Sequence, residues 1–289
     1  MKRSLTALAG IVVLAASASA QVMDSTGFES PWSAGTNGTL VTASANSSQG
    51  WDASSTGATI VKNGQTNAGG VTAHGGTQML RMTTSTAASN ANWAWKDIDT
   101  AWGARTPGND MLHVWSSFYV SASNNRASFY ALQVYSAATD LIGEVAWTPN
   151  YTASAGNSLI QVDNGGAATP LGGGFTVAQG TFRGVWNRFD MYVDMTNLTI
   201  DATVTLGSNP ALDMGTFAID PALATDIHDV DFFAGNPATA QTGTTAQSNS
   251  CYFDDYGTEM LTTPAVPEPA TYAALGLGAL MVIRRRRKA

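Results

Sequence analysis

WNRFDMYVDMTNLTIDATVTL, residues 186–206, decides the fold class. Phe189, Met191, Val193 and Met195 alternate with Arg188, Asp190, Tyr192 and Asp194. After Thr196-Asn197 the alternation resumes, with Leu198, Ile200, Ala202, Val204 and Leu206 against Thr199, Asp201, Thr203 and Thr205. Successive side chains of a strand point to opposite faces. A period of two with one apolar and one polar face therefore predicts a half-buried antiparallel hairpin. Phe189, Met191, Val193, Leu198, Ile200 and Val204 are expected in a core, and Asp190, Tyr192, Asp194, Asp201 and Thr203 on the opposite face.

Working outward, similar short runs predict strands at residues 113–122, 129–136, 141–147, 159–162, 230–234 and 251–256. Gly, Asn, Ser and Thr separate them, and no stretch has convincing helical period. Gly165-Gly166 and Gly172 to Gly174 read as loops, and residues 238–250 as a low-complexity loop. Strands at this spacing without helices between them predict an all-β chain folded as one antiparallel β-sandwich over residues 21–261, with a stalk at 262–265.

Both ends read as addresses. Lys2 and Arg3 precede an apolar run from Leu8 to Ala16, and Ala18-Ser19-Ala20 forms an A-x-A site for signal peptidase, defining a signal peptide over residues 1–20. At the other end Val266-Pro267-Glu268-Pro269 is followed by an apolar run from Tyr272 to Ile283 and a basic block from Arg284 to Lys288. An apolar segment followed by positive charge is a stop-transfer pattern. This one is well short of the ~20 residues that cross a bilayer comfortably, which predicts a short transmembrane sorting helix that holds the chain in the inner membrane only transiently. The three-part order over residues 266–289 resembles the PEP-CTERM sorting signal. That resemblance implies exosortase as a processing partner, with cleavage near the motif and delivery to the cell surface or extracellular matrix.

Without the two addresses, 7 basic and 20 acidic residues remain, a net charge near −13. Such a balance disfavours nucleic acid and anionic membrane surfaces as partners, since both attract basic patches. It disfavours anionic polysaccharide unless a cation bridges the two. Cys251 is the only cysteine, so no intrachain disulfide can brace the exported chain.

The order of segments also resembles concanavalin A-like jelly-roll domains. Phe28-Glu29-Ser30, Gly50-Trp51 and Gly75 to Met82 match their usual first strands, residues 185–204 the tryptophan-then-hairpin element, and residues 251–261 the last strand, which returns beside the first. The resemblance implies a jelly roll whose members include lectins, glycosidases and polysaccharide lyases, so activity must be argued from residues.

Catalytic constellations are sparse. Glycosidic cleavage needs an acid and a base or nucleophile at a set separation. Only Glu29, Glu144 and Glu259 are glutamates in the exported part, and none has the paired spacing of laminarinase-type enzymes. His74, His113 and His228 are isolated in sequence. Asp226, Asp229 and Asp231 are close enough together for calcium, which takes six to eight oxygens; no other cofactor is expected. Trp93 and Trp95 share one side of a strand and, with Trp102, are candidate sugar platforms, whereas Trp51, Trp115, Trp147 and Trp186 read as core. With Asp190, Tyr192, Asp194 and Asp201, Trp93 and Trp95 make up the expected ligand face. The leading reading is a non-catalytic exported surface or matrix protein that binds extracellular polysaccharide. The alternatives are a polysaccharide-active enzyme with an atypical site and a structural adhesin.

Overall fold

A computed structural model describes residues 20–54, 57–84, 91–121, 128–148, 157–163, 171–178, 181, 183–223, 226–235 and 250–262. Sixteen strands fill it: β1 (Gln21–Thr26), β2 (Thr39–Leu40), β3 (Trp51–Ala53), β4 (Ala58–Lys62), β5 (Gln78–Thr83), β6 (Ala91–Asp97), β7 (Met111–Val120), β8 (Phe129–Tyr135), β9 (Leu141–Thr148), β10 (Asn157–Asp163), β11 (Leu171–Ala178), β12 (Trp186–Asp194), β13 (Thr199–Leu206), β14 (Leu212–Ala218), β15 (Asp229–Gly235) and β16 (Ser250–Leu261). The one α-helix among the described residues is a single turn, α1 (Asp99–Gly103).

Every strand pairing is antiparallel, in two sheets. The first has nine strands in the order β14-β13-β12-β7-β16-β5-β4-β2, with β1 also paired to β16. The second has seven, β11-β10-β9-β8-β15-β6-β3. Their inner faces meet in one core. Phe118 of β7 stacks on Phe189 of β12 at 4.0 Å and tilts against Trp147 of β9, in the other sheet, at 5.6 Å. Phe232 of β15 lies 4.4 Å from Phe253 of β16. A Cβ on Gly143 would stand 2.6 Å from Ile200 Cδ1, so glycine there lets β9 approach β13. Truncating a fully buried ring such as Phe118 costs about 3–5 kcal/mol. The sandwich and its jelly-roll-like strand order are those the alternation and the resemblance predict.

The hairpin of residues 186–206 is β12 and β13, in register from Asn187↔Leu206 to Asp194↔Thr199. Phe189, Met191, Val193, Ile200, Ala202 and Val204 are buried. Leu198 is less buried than expected. It sits in the connecting turn at φ +53°, only partly buried against the core. Gly172 to Gly174, expected in a loop, belong to the edge strand β11, which pairs with β10. A glycine-rich run carries no alternation to read, yet its backbone can complete a ladder. The signal peptide up to Ser19, the stalk from Thr263 and the sorting signal lie outside the described residues, as do Gly165-Gly166 and most of the low-complexity loop. Among the described residues no helix is long and apolar enough to cross a membrane.

Candidate functional site

The outer face of the nine-stranded sheet carries the densest group of polar and aromatic side chains. Register brings Asp201, Tyr192, His113 and Glu259 into one row across β13, β12, β7 and β16. The next row is Thr203, Asp190, Trp115 and Gly257, and the one after it Thr205, Arg188, Ser117 and Asp254. The His113 ring stacks on Tyr192 at 4.2 Å and tilts against Trp115 at 4.7 Å. The Trp115 indole lies over Gly257, where a Cβ would collide with the ring. Glycine in this row is what allows the partly exposed tryptophan to lie against the strand.

Charged groups hold these rings in place. His113 is buried, with Nδ1 2.8 Å from Glu259 Oε1 and Nε2 3.0 Å from Asp190 Oδ1. Arg188 donates to both Asp190 oxygens, Nε at 2.8 Å and Nη2 at 2.7 Å, and its guanidinium stands 5.5 Å from the Trp115 ring centroid. Burial alone would raise the Asp190 carboxyl, but the hydrogen bonds from His113 and Arg188 outweigh it and hold the group below its ordinary range. The same pairing raises Arg188. Bidentate charge-assisted contacts of this kind are strong and directional.

A wall closes one end of this face. Residues 63–77 fold over the sheet, where Ala68, Val71 and Ala73 form a small outer cluster with Val61, Met79 and Tyr252, packed by Tyr119 and Trp186. Trp186 Nε1 donates to the Thr72 carbonyl at 2.8 Å. His74 contacts Asp255 and lies 5.5 Å from the Trp186 ring, and the Gly75 amide donates to Asp254 at 2.9 Å. Burial is the main cause that pushes the Asp254 carboxyl up to about 7.

The expected ligand residues divide between opposite faces of the sandwich. Asp190, Tyr192 and Asp201 are on this outer face, with Asp201 accepting from Thr216 of the edge strand β14. Asp194 is buried and caps the hairpin turn, accepting from the Thr196 and Asn197 amides at 2.9 Å. Trp93 and Trp95 lie half-buried on the outer face of the seven-stranded sheet, with Trp93 edge-on to Phe233 at 5.1 Å. Trp102, a third platform candidate, is buried in the core. Trp51 and Trp147 are core residues as expected, but Trp115 and Trp186 are not. Their apolar sequence neighbours Val114 and Val185 suggest burial. The parity of β7, which aligns Trp115 with His113 and Ser117, is the signal that points it outward. His113 and Glu259, 146 residues apart, have no sequence signal linking them and meet only through sheet register.

On the seven-stranded sheet Trp95, Asp231, Gln133, Glu144 and Asp163 form a row across β6, β15, β8, β9 and β10. Gln133 donates to Glu144 at 2.7 Å. Burial pushes Glu144 up to about 7, and burial together with Asp229 pushes Asp231 up to about 9. Of the three aspartates read as calcium ligands, Asp229 and Asp231 are neighbours on this face. Asp226 is exposed, and its carboxylate accepts from the next amide, Ile227, at 2.9 Å.

Residues 265–288 match the PEP-CTERM protein-sorting motif. The chain carries a PEP-CTERM sorting signal. No curated protein matches the chain as a whole. Among solved structures, the CBM2 module of the evolved Dit of Lactobacillus casei BL23 phage J-1 superposes on this chain at a TM-score of 0.53 and 11% identity, covering 85% of this chain and 97% of that one. A lectin from Bauhinia forficata aligns at TM-score 0.44 and 10% identity, over 64% of this chain and 88% of that one. A GH131 β-glucanase catalytic domain from Podospora anserina aligns at 0.41 and 11%, over 64% and 73%. The first likeness concerns the fold; the other two are too distant to bear on the site. The motif implies export and sorting to the cell surface.

Proposed function

We propose that the sandwich is a non-catalytic glycan-binding domain, delivered by signal peptidase and exosortase to the cell surface or extracellular matrix after a transient stay in the inner membrane. The observation that carries this reading is the partly exposed Trp115 ring. It lies over Gly257 and is bordered by Arg188, Asp190, His113, Tyr192 and Glu259. A sugar ring offers apolar C–H faces to an indole and hydroxyls to fixed carboxylates and guanidinium. Because Arg188 is already satisfied by Asp190 and the exported part is acidic, the ligand is a neutral glycan. The fold likeness to a structure described as a CBM2 module supports the same reading.

Calorimetric titration with neutral β-glucan and xylan oligosaccharides tests it. Binding should appear and fall about tenfold or more in Trp115→Ala, a loss of roughly 1.4 kcal/mol, while the unfolding midpoint stays within a few degrees. Incubation with the same glycans and with alginate should release no new reducing ends or unsaturated uronates. Release of either would replace this reading with the enzymatic one. Undiminished binding in Trp115→Ala would remove the ligand from this face.

A further inference from the structure

We infer that one end of the seven-stranded sheet is a site for a divalent cation of the zinc and manganese class, held by Asp97, His228 and Asp229 with Asp231 beside them. β6 ends at Asp97, directly opposite Asp229 at the start of β15. The backbone of His228 is pinned from both sides. Its amide donates to the Tyr135 carbonyl at 2.9 Å, and its carbonyl accepts from the Ile98 amide at 2.8 Å. One donor atom from each of Asp97, His228 and Asp229 lies within 4.8 Å of the others. His228 Nδ1 and Asp229 Oδ2 are 3.2 Å apart. With metal–ligand bonds of about 2.1 Å, neighbouring donors around one ion stand roughly 3.0–3.4 Å apart, so that pair already spans one edge of a coordination shell.

A second observation points to a ligand. Asp231 is only 7% exposed, its carboxyl group meets that of Asp229, and its Oδ1 has no hydrogen-bond partner. Asp229 Oδ1 is likewise buried without a partner. Leaving carboxylate oxygens out of water uncompensated is costly. Among the described residues no lysine or arginine pairs with Asp97, Asp229 or Asp231. Lys96, the neighbour of Asp97, turns to the other side of the strand, where Nζ donates to the Gln49 carbonyl at 2.7 Å. His228, beside Asp229, is the one basic side chain at this cluster among the described residues, and a divalent ion would bring further positive charge to its three carboxyl groups. An imidazole among carboxylates suits zinc or manganese, whereas calcium takes oxygen ligands. This donor set differs from the all-aspartate set of Asp226, Asp229 and Asp231, and it is independent of the glycan reading.

The test uses the full chain in detergent, stripped with a chelator and titrated separately with zinc, manganese and calcium by calorimetry and elemental analysis. One equivalent of zinc or manganese should bind at least about tenfold tighter than calcium and raise the unfolding midpoint by several degrees. Asp97→Asn, an exposed change that leaves the fold intact, should weaken binding about tenfold or more. His228→Gln should abolish the preference over calcium, and Asp226→Asn should alter neither. Cobalt(II) should give a visible absorption spectrum that disappears in His228→Gln. No uptake at millimolar metal, unchanged affinity in Asp97→Asn, or tighter binding of calcium would each overturn the assignment.

Discussion

Replacing Glu144 with glutamine should stabilise the protein in mild base and leave it nearly unchanged in acid. Glu144 is 5% exposed on β9, between Gln133 and Asp163 in register. Burial is the larger influence on its carboxyl and the hydrogen bond from Gln133 the smaller, so the group rises from 4.5 to about 7. A carboxyl raised in the folded state contributes stability that is complete below about 4.5 and is lost as pH rises through about 7. At about 1.4 kcal/mol per pH unit, that interval comes to about 3 kcal/mol. The substituted amide would keep the shape and an oxygen for Gln133 to donate to, but it would not ionise. The unfolding free energy of Glu144→Gln minus that of the parent should therefore grow by about 2–3 kcal/mol between pH 5 and pH 9. Urea unfolding followed by tryptophan fluorescence measures this difference. Asp254, also raised to about 7, contributes equally to both proteins and cancels. Parallel stability curves across that range would mean that Glu144 is solvated, and the reasoning would fail.

Two further outcomes are expected. Gly257→Ala should push the Trp115 ring off its seat, lowering glycan affinity as much as Trp115→Ala does and costing about 1–3 kcal/mol of stability; unaltered binding would show that the ring position is irrelevant. Protein recovered from its native host should begin near Gln21 and lack Arg284 to Lys288, as intact mass will reveal. A chain retaining that arginine cluster would contradict processing at the sorting motif.

The fold is legible in the sequence because alternation is a local property. Strands expected at 113–122, 129–136, 141–147 and 230–234 appear within a few residues of β7, β8, β9 and β15. The face of a residue follows from the same parity, and reading Trp115 by the composition of its neighbours instead puts it on the wrong side. Sites are another matter. His113, Asp190 and Glu259 belong to strands far apart in the chain, as do Asp97 and Asp229, and only lateral register joins them. Asp194 shows the opposite failure: its parity is outward, but its carboxylate is consumed by the turn it caps. Strand periodicity says which side a group faces, not what it meets there.

In the nine-stranded sheet β16 lies between β7 and β5, which do not pair with each other, and it also carries β1. The three-strand group of β5, β4 and β2 therefore has no hydrogen-bonded link to the rest of that sheet until residues 250–261 arrive. Pairings so distant in sequence form slowly, because a long loop must close before any contact rewards it. The sheet cannot be complete until its last strand in sequence, residues 250–261, is available to pair. The position of β16 thus acts as a keystone: the nine-stranded layer stays open between β7 and β5 until the segment just ahead of the sorting signal docks between them.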